Sequence, residues 1–369
     1  MTTRLLSFER WRRHLAGRLA LLSRPSYAEA VAAERAPLRR SQPFDPLGRG
    51  RPLRILLAYT HNDYGNLRRG TSYETSAFRD SLYQLGCEVI EGRTDAIAKR
   101  IGASRVTDAL QEMAFRHEVD MLFAVPFRNE LDPTGLANIR DKTKTPIVMW
   151  FSDDHWRFDG HTVRFLDCIS VAVTTSRVAL AKYAAAKFDR VIKSQWGVNH
   201  RVYRPLNLPP VWDMSFIGQP HSDRREYVQR LRSAGFSVAT RGFGWPEGRA
   251  SLSEAVILAN TSKICLNFSN SSHGSQNQVK GRDFELPAMR RAVLTAQSDE
   301  LSEYYSSDEV VTYSSFDDLR EKASELLRND AYRERLAYAG FQRTLRDHTY
   351  EVRLGSLLSE IIDRGWIER

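Results

Sequence analysis

From residue 53 onward the chain repeats one pattern: a short apolar run, a polar loop, then a stretch with helical spacing. LRILLAY (53–59) is the first run, and CEVIEG (87–92), VDMLFAVP (119–126), TPIVMWFSDD (145–154), CISVAVTTS (168–176) and RVIKSQWGV (190–198) follow. Nearly continuous apolar runs of this length suit strands of a parallel sheet, which are covered on both faces. Helical spacing over Ser72–Leu85, Ala103–His117 and Leu136–Lys142 supplies the crossovers between them, with Gly86 as a stop.

The prolines of VYRPLNLPPVWD (202–213) interrupt this pattern and predict an interdomain linker. The alternation then restarts with runs at 213–218, 236–244, 263–269, 292–297 and 310–315. Helices are expected over Asp223–Ala234, Leu252–Asn260, Asp283–Arg290, Asp317–Arg328, Ala331–Asp347 and Tyr350–Gly365. The expected class is α/β: two Rossmann-like, doubly wound domains over 53–205 and 206–349, with a separate C-terminal helix over 350–369. A chain of 369 residues is long enough for two such cores. Ligands of these sheets bind beyond the carboxyl ends of the strands, so the site is expected in a cleft between facing domains.

Before residue 53 the character differs. Leu5, Phe8, Trp11, Leu15, Leu19 and Leu22 recur at helical spacing among Arg4, Arg10, Arg12, Arg13 and Arg18. A basic amphipathic helix over 1–24 fits peripheral contact with an anionic membrane face, docking on a partner, or packing on the chain's own core. Residues 36–52, rich in Pro, Gly and Arg, predict a linker. Apolar runs fall far short of the ~20 residues of a membrane span. Only 3 cysteines occur, Cys87, Cys168 and Cys265, with no disulfide or metal spacing. With no signal-peptide pattern, the expected location is the cytoplasm, including peripheral contact at the inner membrane face. The net charge of +9 favours anionic partners: phosphates, nucleic acid or an acidic membrane surface. No stretch interleaves basic and aromatic residues, so DNA is not the expected partner.

Four loops at strand ends carry candidate chemistry. The first, after LRILLAY, holds His61, Asn62, Asp63 and Gly65. The second ends the fourth run with Asp153, Asp154 and His155; neighbours on an extended chain point oppositely, so one acid can serve as base or bind a hydroxyl while the other caps the next segment. Metal binding has only generic spacing in its favour there, and no metal is expected. The third runs from Gly218 into a helix start with Arg224 and Arg225, where phosphate meets free N–H groups and a guanidinium. The fourth, from Asn267 to Met289, is Ser/Asn-rich and leads through Asn270, Gln276, Asn277, Lys280 and Arg282 to Glu285. Amides, hydroxyls and two cations suit a diphosphate, and a carboxylate one turn into the helix suits ribose hydroxyls.

KICLNFSNSS, KGRDFELPAM and DHTYEVR, together with WDMSFIGQ and WFSDDH, resemble the CgeB-like (spore maturation protein type) branch of the group 1 glycosyltransferases. The resemblance runs from about Trp150 to Arg353. It implies a GT-B fold, with the donor on the C-terminal domain, the acceptor on the N-terminal domain, and a final helix that often crosses back. It implies a nucleotide-sugar donor (UDP-, GDP- or dTDP-sugar), no tightly bound cofactor and no bound metal. By the same carry-over Lys280 and Arg282 bind diphosphate and Glu285 binds ribose. The first glutamate of the paired motif is replaced by Asn277, and the glycine after the second by Arg290-Arg291. Retention of anomeric configuration is what the related families imply.

The expected function is therefore transfer of a sugar, hexosyl-like, to a glycan, lipid-linked or protein acceptor. His61, Asp153, Asp154 and His155 are the candidates to assist the acceptor hydroxyl, and Gly218 and Arg224 add to the phosphate side. Asn270, Gln276 and Asn277 fall on the donor-sugar loop, and Asn62, Asp63 and Gly65 on the acceptor loop. A DNA-modifying transferase and an inactive binding or assembly protein on the same fold are the alternatives.

Overall fold

The computed structural model describes residues 42–270 and 277–367, and the chain divides into two compact units. Among the described residues, one unit takes 42–199 with 348–367, and the other takes 200–270 with 277–347. The helix expected over 1–24 lies outside the described residues, as does the first part of the 36–52 linker.

In the first unit, β1 (Arg54–Tyr59), β2 (Glu88–Arg93), β3 (Met121–Val125), β4 (Ile147–Phe151), β5 (Val171–Thr174) and β6 (Val191–Lys193) form one sheet in the order β2-β1-β3-β4-β5-β6. Every neighbouring pair is parallel. β3, β4 and β5 are buried along their whole length, as their uninterrupted apolar runs predict. Alternate residues feed opposite layers. Ile55, Leu57, Phe123 and Trp150 face one core, while Leu56, Ala58, Leu122 and Met149 face the other.

The helix Tyr350–Asp363 belongs to this unit. Tyr350, Leu354, Leu357, Leu358, Ile361 and Ile362 pack among the side chains of β1, β3 and β4. Its entry is fixed by Val198, whose N–H donates to His348 O and whose carbonyl accepts from Tyr350 N–H, each at 3.0 Å. A Cβ on Gly197 would stand 3.1 Å from both His348 O and Tyr350 N, so glycine lets the two segments approach. The Thr349 hydroxyl caps the helix by accepting from Val352 N–H.

Some local structure departs from the sequence expectation. Residues 44–53 are not a loose linker: Leu47 is buried, Arg51 grips the Asp120 carboxylate with two nitrogens at 2.7 and 2.8 Å, and Arg49 joins the same carboxylate. A helix at Thr94–Ile101 escapes the sequence pattern because only Thr94 and Ile97 of it are buried. The helix expected over 72–85 contains a π-helical stretch, Thr75–Arg79.

The second unit contains β7 (Trp212–Ile217), β8 (Val238–Arg241), β9 (Ser262–Asn267), β10 (Ala292–Ala296) and β11 (Val311–Tyr313) in the order β11-β10-β9-β7-β8, again all parallel. In both sheets the first strand lies between the second and third. The chain therefore winds outward in both directions from that point, leaving a crevice at the carboxyl ends of the first and third strands. In the second unit this switch point lies between β7 and β9. The Pro-rich stretch 202–213 is anchored on this unit by fully buried Asn260, whose Oδ1 accepts from Leu206 N–H at 2.8 Å and whose Nδ2 donates to Arg204 O at 3.1 Å. Among the described residues no helix is long and apolar enough to cross a membrane.

Candidate active site

The third and fourth candidate loops leave the switch point of the second unit. Gly218 directly follows β7, and its carbonyl accepts from Trp245 Nε1 at 2.8 Å. A Cβ on Gly242 would come within 2.1 Å of that same carbonyl, so only glycine (φ +147°) lets the loop after β8 close against it.

Arg224 opens the helix Arg224–Ser233 and is 6% exposed. Its Nε donates to Asn270 Oδ1 at 2.8 Å and its Nη2 to the carbonyls of Phe268 and Asn270, both at 2.8 Å. Nη1 donates to Gln219 O at 3.2 Å. The guanidinium thus ties the end of β9 to the end of β7. Most of its donors are already engaged, so Arg224 offers a ligand charge more than a free fork. Burial pushes its pKa down to about 10. His221, beside it, is pushed below the ordinary histidine range by burial and then by the positive charges of Arg224 and Lys280. Both loops therefore bring positive charge to one place.

Asp283 builds the second half of the crevice. Its carboxylate is 1% exposed and accepts from Asn267 Nδ2 at 2.7 Å, Thr295 Oγ1 at 2.9 Å and Lys280 N–H at 2.9 Å. The short helix Gly281–Glu285 is thereby locked to the ends of β9 and β10. Burial raises the Asp283 carboxyl to about 6 despite these hydrogen bonds. Glu285 is 2% exposed and pairs with Arg282. The Tyr203 hydroxyl interacts with both members of that pair; burial, then the Glu285 charge, raises its pKa. Asn270 bridges Asn277 across the base of the loop, and Asn277 Nδ2 donates to Gln297 O at 2.7 Å. Gln276, at the loop's far end, lies outside the described residues.

In the first unit the loop after β1 is held from the end of β2 and from the helix Thr94–Ile101 that follows it. The Asp95 carboxylate accepts from the N–H groups of His61 and Asn62, both at 2.9 Å, and from Asn62 Nδ2 at 2.5 Å. The Tyr59 hydroxyl donates to Glu91 Oε2 at 2.6 Å and stands 3.2 Å from His61 Nδ1. Its single proton is committed to Glu91, so toward Nδ1 it acts as acceptor. Thr75 likewise donates to His61 O. The arrangement assigns the proton to Nδ1 and leaves the lone pair on Nε2. Burial and the Arg93 charge hold His61 below its ordinary range, so the imidazole is neutral. Burial works to raise Glu91, yet hydrogen bonds from Arg93 and Tyr59 bring it down to about 2. Asp63, 3.5 Å from Arg69, and Gly65, at φ +70°, shape the turn that follows.

Asp154 and Asp153 divide as neighbours on a strand end do. Asp154 is 1% exposed and accepts from the hydroxyls of Thr162 and Tyr183, the latter at 2.7 Å. Burial raises its carboxyl, and Asp154 is an internal anchor of the loop. Asp153 stays at the surface side of the turn, its carbonyl accepting from Trp156 N–H and Arg157 N–H. His155 is half-buried.

Tyr59, Glu91, Arg93 and Asp95 escaped the sequence reading, as did Tyr203 and Thr295, while His221 and Asp283 lie inside the third and fourth candidate stretches with no role of their own assigned there. Glu91 and Arg93 alternate at the end of β2 and Asp95 lies in the first turn of the helix Thr94–Ile101, and pairing of β2 beside β1 is what makes them line one loop. Among the described residues no group of three or more His, Cys, Asp or Glu could hold a metal ion.

Residues 224–359 match the family model described as "Glycosyl transferase-like". Comparison with curated protein sequences gives no match. Solved structures with a similar fold include a glycosyltransferase from Rickettsia africae (TM-score 0.59, 13% identity, covering 86% of this chain and 99% of that one). Anabaena HepE in complex with UDP and glucose is similar at TM-score 0.56 and 10% identity, over 84% of this chain and 99% of that one. A DNA-modifying β-glucosyltransferase is similar at TM-score 0.53 and 13% identity, over 84% and 99%. The fold is that of the GT-B glycosyltransferases, built from two parallel-sheet α/β units.

Proposed function

We propose that the chain is a glycosyltransferase that takes a sugar from a nucleoside diphosphate donor. The observation that carries this reading is the cationic switch point of the second unit: Arg224, Lys280 and His221 converge there, beside the Arg282–Glu285–Tyr203 cluster. It falls within the stretch that matches the glycosyltransferase-like family model, apart from His221 and Tyr203. Support also comes from the donor chemistry of the similar structures, since HepE was crystallised with UDP and glucose.

In the proposed reaction the bond between the sugar C1 and the diphosphate oxygen breaks, and its electron pair stays on the diphosphate. Lys280 and Arg282 stabilise that growing negative charge, with Arg224 contributing field from beneath. Fixed cations at a leaving group act more strongly on the transition state than on the ground state. Glu285 binds the ribose hydroxyls, and Asn270, Gln276 and Asn277 belong to the donor-sugar loop. The acceptor oxygen bonds to C1 and gives up its proton. His61, neutral with its lone pair on Nε2, is the group best prepared to receive that hydrogen, with Asp153 and His155 as the further candidates. Hexosyl transfer with retention of configuration, as the resemblance implies, completes the proposal; the anomeric coupling constant of the first product tests retention against inversion.

Incubation with UDP-, GDP- and dTDP-hexoses, followed by chromatography of the released nucleotide, tests the reading. One donor class should release nucleoside diphosphate, and Lys280→Ala should cut that release by ~10²–10³. Release at the same rate from all donors and from the variant would contradict it.

A further inference from the structure

The loops leaving β1, β3 and β4 in the first unit carry more than the proposed base. Three guanidiniums on them each sit over an aromatic ring. Arg69 lies 4.4 Å from the centre of Tyr64, Arg128 5.1 Å from that of Phe127, and Arg157 5.8 Å from that of Trp156. These pairs are joined into one surface. Tyr64 meets Phe127 edge to face at 5.1 Å, and Arg157 donates to Phe127 O at 2.9 Å. Tyr64 is 51% and Trp156 44% exposed, so both rings reach solvent on this surface. No single stretch of sequence shows this interleaving; the sheet order creates it.

The charge on this surface is unbalanced. Among the described residues neither Arg128 nor Arg157 has a carboxylate within ion-pair distance. Arg69 has Asp63 at 3.5 Å. The nearby Glu130 is spent on the N–H groups of Phe127 and Arg128, at 2.5 and 2.6 Å. An aromatic ring steadies a guanidinium plane without using its N–H donors. Arg128 keeps its donors as a fork, the geometry that grips carboxylate or phosphate in two places, while Arg157 spends Nη2 on Phe127 O and Arg69 lies beside Asp63.

We propose that this surface receives an anionic saccharide: sugar rings bearing carboxylate or phosphate groups, as the acceptor of the transfer reaction. The assignment to an acceptor rests on the glycosyl-transfer reading; the binding itself does not. The C–H faces of sugar rings meet Trp156 and Tyr64, hydroxyls reach Asn62 and Asp63, and the anionic groups meet Arg69, Arg128 and Arg157. A nucleic acid fits less well. Tyr64 and Phe127 meet edge to face at 5.1 Å rather than lying parallel, so the rings form no stacked platform for successive bases.

The test uses the full-length protein and tryptophan fluorescence. The probes are tetragalacturonate, a phosphorylated mannotetraose, uncharged maltotetraose and the oligonucleotide (dT)8. At least one anionic saccharide should bind tenfold or more tightly than maltotetraose. Arg128→Gln combined with Arg69→Gln should remove most of that advantage, and Arg128→Lys should restore less than half, because a point charge lacks the fork. Equal binding of charged and uncharged saccharides would overturn the proposal. So would (dT)8 binding as tightly as the saccharides with the same sensitivity to the variants, which would indicate a nucleic-acid surface. UDP, GDP and dTDP are titrated in parallel. The double variant should keep the wild-type nucleotide affinity. If the wild type binds an anionic saccharide but no nucleotide, the surface stands and the glycosyl-transfer reading falls.

Discussion

Arg224 Nε and Asn270 Oδ1 stand 2.8 Å apart, and through that contact the helix after β7 is fastened to the loop after β9. The same guanidinium satisfies the carbonyls of Phe268 and Asn270. Two loops far apart in sequence are thus set as one rigid crevice, and a buried positive charge is placed beneath it. In a parallel sheet the switch point provides the opening, but it is side chains such as this one that fix its shape.

Arg224→Met should therefore damage folding and binding together. It strips hydrogen bonds from buried carbonyls, each of which costs about 1–3 kcal/mol when left unsatisfied. We expect a loss of roughly 2–4 kcal/mol in urea denaturation and a nucleotide affinity reduced by at least tenfold. Wild-type stability in this variant would show that the guanidinium is not what joins the loops.

Asp283 makes stability depend on pH in an unusual direction. Burial raises its carboxyl to about 6, above the ~3.9 of an unfolded chain. Between these values the folded state holds the proton and the unfolded state has released it. Its contribution is thus fully present below pH ~4 and is lost as pH rises through 6. The difference in denaturation free energy between wild type and Asp283→Asn, measured from pH 4 to pH 7, should shift against the wild type with rising pH. A flat difference would contradict the assignment.

His61 predicts the opposite limb for turnover. Its imidazole titrates below the ordinary 6.5, so the active neutral form persists at mildly acidic pH and is lost as pH falls further. The rate of sugar transfer should fall on the acid side below that value. His61→Gln should abolish the limb and lower kcat by ~10²–10³ while leaving nucleotide affinity unchanged. An unaltered acid limb in the variant would assign it to another group.

The helix Tyr350–Asp363 gives a prediction about which unit fails first. Leu358 is fully buried among the side chains of the first unit's sheet. Leu358→Ala should cost about 2–5 kcal/mol through the cavity it leaves. Hydrogen exchange should show the loss across β1, β3 and β4, while β7, β9 and β10 keep their protection. Uniform loss across both sheets would mean that the units unfold as one.

The parallel sheets were legible because β3, β4 and β5 are covered on both faces, so β3 and β4 are apolar throughout and β5 is apolar up to Thr174. Leu252–Asn260 was legible to its ends because Ser251 and Glu254 form a capping box around an almost wholly buried helix. Lys280, Arg282 and Glu285 were legible as a candidate set because they are close in sequence. Tyr203 was not, since nothing in a proline-rich stretch signals that its ring turns back onto the second unit. Arg224 was recognised as basic, but its carbonyl partners come from a loop more than forty residues away. The Arg-aromatic surface was hidden for the same reason: each pair lies on a different loop, and only the order β1-β3-β4 assembles them.

The most direct test of the account is calorimetric titration of UDP, GDP and dTDP into the wild-type protein and into Lys280→Ala, Arg282→Ala and their combination. The account predicts that one nucleoside diphosphate binds the wild type, that each single variant weakens it, and that the double variant loses it while keeping the wild-type circular dichroism spectrum; its melting temperature falls, because Arg282→Ala leaves the buried Glu285 carboxylate unpaired. A wild-type protein that binds none of the three, or a double variant that binds as tightly as the wild type, would contradict the assignment of this crevice to a nucleotide-sugar donor.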